Sequence, residues 1–135
     1  MGDRAERNER IVREGYEAFG SGDLAKVQEM FAPDVVWHTP ENHGVLSGDH
    51  KGWDEVAMFF LQTMTHSRGT FRIEILDVLA SDERVAAYVH VTGNGRGRIL
   101  DDSQIHLFRL DEDGIVQEIT QYPLNQSVVN AFWSE

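Results

Sequence analysis

The chain has 135 residues, with 12 Lys+Arg against 23 Asp+Glu, a net charge of −11 with its six histidines neutral, and no cysteine. That length suits one domain with its own core, and 41% hydrophobic with 26% charged residues is ordinary globular usage. The acidic balance argues against binding nucleic-acid phosphates or anionic membranes, and the missing cysteines exclude disulfides, thiolate zinc sites and cysteine nucleophiles.

The first ten residues, MGDRAERNER, are charged throughout and carry no apolar signal-peptide core. No apolar run approaches the ~18 residues of a membrane helix. Glu6 stands where a myristoylation signal needs Ser or Thr. These features predict a soluble, cytoplasmic protein.

Residues 4–20 read as a helix, with Ile11, Gly15 and Ala18 repeating at i, i+4, i+7 and Val12, Tyr16 and Phe19 beside them. Gly20-Ser21-Gly22 breaks it. Asp23 is a good N-cap for a short second helix carrying Leu24, Val27 and Met30-Phe31 inward, which Pro33 ends at or before Ala32. Val35–Thr39 is a β-branched and aromatic strand stopped by Pro40. Residues 41–52 read as a loop or weak strand. From Trp53 to Thr65 the apolar spacing is helical again.

The rest alternates. Phe71, Ile73 and Ile75 share one face of a strand, and Ser81-Asp82-Glu83 is a turn. Val85–Thr92, Gln104–Leu110 and Ile115–Tyr122 are strands, with Gly93-Asn94-Gly95 and Asp113-Gly114 as hairpin turns. The tail from Pro123 to Trp133 is ambiguous. Three helices interrupted by one strand, then four strands, predict an α+β domain over 1–135, with the helices on one face of a curved antiparallel sheet.

The runs Tyr16–Leu24, Met30–Trp37, Gly48–Val56 and His106–Val116 resemble nuclear transport factor 2-like domains, closest to the SnoaL-like branch that holds polyketide cyclases and relatives of ketosteroid isomerase. The resemblance implies a cone, a bent sheet wrapped around a pocket, and often a homodimer through the outer sheet face. One scaffold hosts many chemistries. Ketosteroid isomerases place a general-base Asp before a proline at the end of the first strand; Thr39, before Pro40, matches it here. Their helix-borne tyrosine matches Tyr16 if the following loop is one residue shorter, and Gly15 otherwise. Their protonated Asp is matched by His106. The acid/base Asp of SnoaL-type cyclases falls on Gln121, to within one residue. Carboxylates of both enzyme types are thus missing.

Histidines remain as acid/base groups. Alternation puts Gln104, His106 and Phe108 on one face, which the resemblance assigns to the pocket. Scytalone dehydratases of the same superfamily use two strand histidines with a helix-borne tyrosine, and His90, His106 and Tyr16 could make a comparable catalytic set, with His90 or Gln121 as orienting partner. Trp37, Thr39, Trp53, Phe60, Gln104, Phe108 and Gln121 are the expected substrate-binding residues. Packing is the simpler account of Tyr16, and core or pocket wall that of Trp37, Trp53, Phe60 and Trp133, while His90 could face solvent or a dimer partner. His38, His43 and His50 lie around a loop without the close paired spacing of a zinc site, so no metal is expected, and no cofactor. Asp101-Asp102 reads as a solvated strand start. Arg98 and Asp101 could serve an epoxide-hydrolase arrangement, but no second inward Asp is evident. Gly93–Gly97 lacks the ending of a phosphate loop. The expected ligand is a small, largely apolar organic molecule, either transformed by cofactor-free cyclisation, isomerisation or dehydration, or simply bound.

Overall fold

The computed structural model describes residues 2–135. Helix α1 (Asp3–Gly20) buries Ala5, Asn8, Val12 and Ala18. Asn8 is an amide in that apolar stripe; its Nδ2 donates to the carbonyls of Ser81 and Asp82, both at 3.1 Å, tying the helix to the far turn. Helix α2 (Leu24–Glu29) starts where expected, with Asp23 accepting from the Lys26 amide at 3.1 Å.

The second helix is shorter than the sequence suggests. Met30 closes it, and strand β1 (Phe31–Thr39) already begins at Phe31. Pro33 therefore lies inside a strand. The pairing register shifts between Phe31 and Val36, an irregularity that accommodates a residue without an N–H. A 3₁₀ turn (Gly44–Leu46), strand β2 (Gly48–Lys51) and helix α3 (Gly52–His66) follow. Strands β3 (Arg72–Ala80), β4 (Arg84–Gly95), β5 (Arg98–Leu110) and β6 (Val116–Pro123) form the meander. The ambiguous tail is helix α4 (Gln126–Trp133), with Asn125 accepting from the Val128 amide.

The expected hairpin turn at Gly93-Asn94-Gly95 is instead the end of β4, and Arg96-Gly97 makes the turn with φ of 58° and 74°. Both values are positive, as a tight hairpin demands. Gly93 and Gly95 serve close packing: a Cβ on Gly95 would sit 3.0 Å from the Ser67 carbonyl. With the turn moved, β5 starts six residues earlier than Gln104. Asp102 then falls on its inward face and is buried, against the reading of a solvated strand start.

The sheet order is β2-β1-β6-β5-β4-β3. All pairings are antiparallel except β1 with β6, which is parallel, because the meander returns from the far edge to the open side of β1. Register shifts at Ile75/Asp77 and Arg109/Leu110 bend the strands. Helix α1 packs on β3 and β4, α3 on β1 and β2, and α4 on β5. The apolar core between them runs from Val12 through Trp37 and Phe60 to Phe132. No helix among the described residues is long and apolar enough to cross a membrane.

Candidate functional site

Between the helices and the inner sheet face lies a hollow of about 60 Å³, bordered by residues of α1, α3, β1, β5 and β6. By the ~15 Å³ that one water centre requires, it has room for a few waters. Its wall is mostly apolar, with Phe19, Phe59, Phe60 and Phe108 among the lining. Met30, a flexible side chain, forms part of the wall beside Gly15.

The polar exceptions form one connected strip. Strand β5 sends Asp102, Gln104, His106 and Phe108 inward because successive side chains alternate. Strands β1 and β6 bring Trp37, Thr39 and Gln121 beside them. Tyr16 Oη lies 2.7 Å from His106 Nδ1, and His106 Nε2 lies 3.0 Å from Gln104 Oε1. Gln121 Nε2 donates to Gln104 Oε1 at 2.9 Å, while Gln121 Oε1 accepts from Trp37 Nε1 at 3.0 Å and Thr39 Oγ1 at 3.2 Å. Gln104 Nε2 reaches Asp102 Oδ2 at 3.4 Å, and Asp102 Oδ1 accepts from the Asn125 amide at 3.0 Å.

Proton positions follow from this connectivity. Indole N–H can only donate. It fixes the Gln121 oxygen toward Trp37 and the Gln121 nitrogen toward Gln104. The Gln104 oxygen must then face Gln121 and His106, so His106 carries its proton on Nε2. Nδ1 is left as acceptor, and Tyr16 is the donor. The Asp102 carboxylate, an acceptor, imposes the same orientation on Gln104 from the other side.

Burial pushes the His106 pKa down to about 3, and charge on His43 would push it the same way. Burial also raises Tyr16 well above its usual range. A neutral imidazole paired with a neutral phenol is thus the resting state, since both charged forms are penalised by desolvation. His106 also lies edge-on to Trp37, with ring centroids 5.8 Å apart.

Several expected residues are elsewhere. His90 sits on the outer face of β4, opposite the inward Val89 and Val91, and its Nε2 contacts Asp101 Oδ1 at 2.6 Å. It cannot join His106, because odd and even positions of β4 face opposite ways. Trp53 heads α3 outside the hollow's lining, its ring tilted against Phe31 and edge-on to Phe60. Thr39 acts behind Gln121 and is also outside the lining. Arg98 is turned to the Ser134 carbonyl and Asp101 to His90, so neither serves the hollow. Tyr16, and not Gly15, supplies the hydroxyl.

The three loop histidines part company. His38 lies on the outer face between Asp49 Oδ1 (2.8 Å) and Glu118 Oε2 (2.6 Å). Burial alone would lower its pKa, but hydrogen bonds and charge from both carboxylates raise it. His50 contacts the Leu46 carbonyl at 3.0 Å and stacks on Phe59. His43 alone lines the hollow, 1% exposed, with its pKa lowered to about 4 by burial and then by His50. Sequence reasoning passed over it, since a loop rich in Gly and Asn gives no periodicity to place a side chain. Asp102 precedes Gln104, where the sequence predicts the strand to begin, so alternation does not reach it.

A curved sheet closed by helices around an apolar hollow with a polar strip is the architecture of the cystatin-like, nuclear transport factor 2-like class. The family model described as the SnoaL-like domain matches residues 12–119, and the chain belongs to that family. An uncharacterised protein of Mycobacterium tuberculosis is 29% identical over 125 residues, covering 92% of this chain and 94% of its own. The solved structure of Bal32a, from a soil-derived mobile gene cassette, is 32% identical with a TM-score of 0.92, covering 97% of this chain and 99% of its own. A Xanthomonas campestris protein of unknown function with a cystatin-like fold is 32% identical with a TM-score of 0.87, covering 95% and 98%.

Proposed function

We propose that the chain binds a small, largely apolar organic molecule inside the hollow, oriented by the strip of Tyr16, His106, Gln104 and Gln121. The Tyr16–His106 pair at 2.7 Å, set in an otherwise aromatic and aliphatic wall, is the observation that carries this reading. Such sites combine apolar lining with few polar groups that fix orientation. A probe larger than a few waters enters only as the flexible Met30 side chain in the wall yields, and the test uses ethylbenzene, followed by amide NMR. Saturable shifts confined to residues around the hollow are expected; no saturable shift up to the probe's solubility overturns the proposal.

A second reading is catalysis without a cofactor, an isomerisation, cyclisation or dehydration with His106 as acid/base and Tyr16 as donor to a developing oxyanion. The same hydrogen bond favours it, because a substrate that displaced Tyr16 would expose the Nδ1 lone pair. The depressed proton affinity of His106 makes it a weak base in the resting state, so binding is placed first. His106→Gln separates the two: loss of turnover with retained binding marks an enzyme.

We also propose that the chain forms a homodimer through the outer sheet face. Tyr88 pairs with Ile105, and Ile105 with Tyr122, so three exposed apolar side chains make one row across β4, β5 and β6.

A further inference from the structure

Every member of the Tyr16–His106 strip has a partner within the protein, but one ring nitrogen of a histidine at the hollow makes no hydrogen bond among the described residues. His43 is almost wholly buried and lines the cavity, and its Nε2 makes no hydrogen bond among the described residues. The loop carrying it is held from several sides. The His43 amide donates to Ser47 Oγ at 2.9 Å, and the Gly44 amide donates to Asn130 Oδ1 of α4 at 2.9 Å. Gly44 itself has a φ of 59° and presses against the Trp133 carbonyl, where no side chain would fit.

The proton on His43 can be placed as well. Gln126 Nε2 donates to the Asn42 carbonyl, which fixes that amide with its nitrogen toward the loop. The same nitrogen lies 3.5 Å from His43 Nδ1. A donor facing Nδ1 leaves that nitrogen as acceptor and puts the proton on Nε2. A preset N–H without a protein acceptor thus borders an apolar cavity. A ligand acceptor in the hollow would give that N–H the partner the protein does not supply.

We propose that His43 is a second polar contact of the hollow, donating Nε2–H to a carbonyl oxygen on the bound molecule. The ligand class is accordingly an apolar ketone, aldehyde or ester, gripped by the loop under α4 as well as by β5. This assignment rests on the ligand-binding reading above.

The experiment compares acetophenone with ethylbenzene, similar in size and lacking the oxygen, in the wild-type chain, His43→Phe and His90→Phe. Calorimetry should show acetophenone bound about fivefold to tenfold tighter by the wild type, the gain of one hydrogen bond. That advantage should disappear in His43→Phe and persist in His90→Phe, the same exchange made on the outer face of β4. Ring ¹H–¹⁵N spectra of the unaltered protein give a second readout free of folding defects: His43 should appear as the Nε2–H form and shift on saturation with acetophenone but much less with ethylbenzene. An advantage that survives His43→Phe, or an unmoved His43 signal, overturns the assignment while the cavity reading stands. Binding of neither probe overturns both.

Discussion

Trp37 and Gln121 stand 84 residues apart in sequence, and the 3.0 Å bond from indole Nε1–H to amide Oε1 sets the direction of every hydrogen bond as far as Tyr16. Asp102 holds Gln104 the same way from the other end. In Trp37→Phe the Gln121 oxygen keeps only Thr39 as donor, while Asp102 still orients Gln104. The expected outcome is a loss of about 1–3 kcal/mol in urea unfolding. Ring ¹⁵N spectra should show His106 still in its single Nε2–H form. A mixture of tautomers would show that Asp102 does not hold the Gln104 amide.

Tyr16→Phe strips the donor from His106 Nδ1 and leaves that nitrogen buried without a partner. We expect a cost of about 1–3 kcal/mol by chemical denaturation. His106→Gln in the same background should recover part of it, because the unpaired ring nitrogen is then gone. Additive losses in the double variant would show that the two residues are not coupled.

Acid should weaken the fold from about pH 6.5 downward. His106 and His43 have folded-state pKa values lowered to about 3 and about 4, against ~6.5 in an unfolded chain. Between these values the unfolded state binds protons that the folded state refuses. Stability is then full above the unfolded pKa and falls as the pH drops toward the folded values. At pH 4.5 the two together should cost on the order of 5 kcal/mol. His38 has the opposite sign, since its raised pKa adds stability below ~6.5 that is lost as the pH rises through its folded value; at nearly one-third exposure its share is small. Denaturation midpoints at pH 7 and 4.5 should converge by roughly half in either His43→Gln or His106→Gln. A pH response unchanged in both variants contradicts the assignment.

Two glycines with similar backbones should respond very differently to alanine. At Gly44 (φ 59°) a Cβ would meet the Trp133 carbonyl group at 2.2 Å, whereas at Gly69 (φ 77°) it would meet nothing within 4 Å. Gly69→Ala should cost about 1 kcal/mol from the strained φ alone. Gly44→Ala should cost several times that and loosen the His43 loop, visible as faster amide exchange from Asn42 to Ser47. Equal costs would mean that α4 does not clamp the loop.

The outer face offers a simpler measurement. Ile105→Lys, in the middle of the exposed row, should convert a dimer to a monomer in light scattering with little change in the unfolding midpoint of the monomer. A mass unaltered by the change would reject this face.

Much of this was legible in advance where periodicity is strong. Helices α1 and α3 and the inward set Gln104, His106 and Phe108 follow from spacing of 3.6 or 2 residues, and Asp23 from the capping chemistry of its carboxylate. Glycine misled the hairpin position, because Gly93 and Gly95 are there for close packing and the turn was taken by Arg96-Gly97. His90 needed a register that sequence could not supply. His43 lies where neither period applies, and it is placed by contacts with a helix more than eighty residues later.

Strand β5 devotes its even positions to the interior and its odd ones to the outside, over thirteen consecutive residues. The hollow's chemistry can therefore be rewritten one rung at a time, at 102, 104 or 106, with no disturbance to whatever the opposite face grips. Length is the change it cannot absorb. Deleting one residue near the Arg96-Gly97 turn would bring Ile105 and Leu107 inside and leave the imidazole in water.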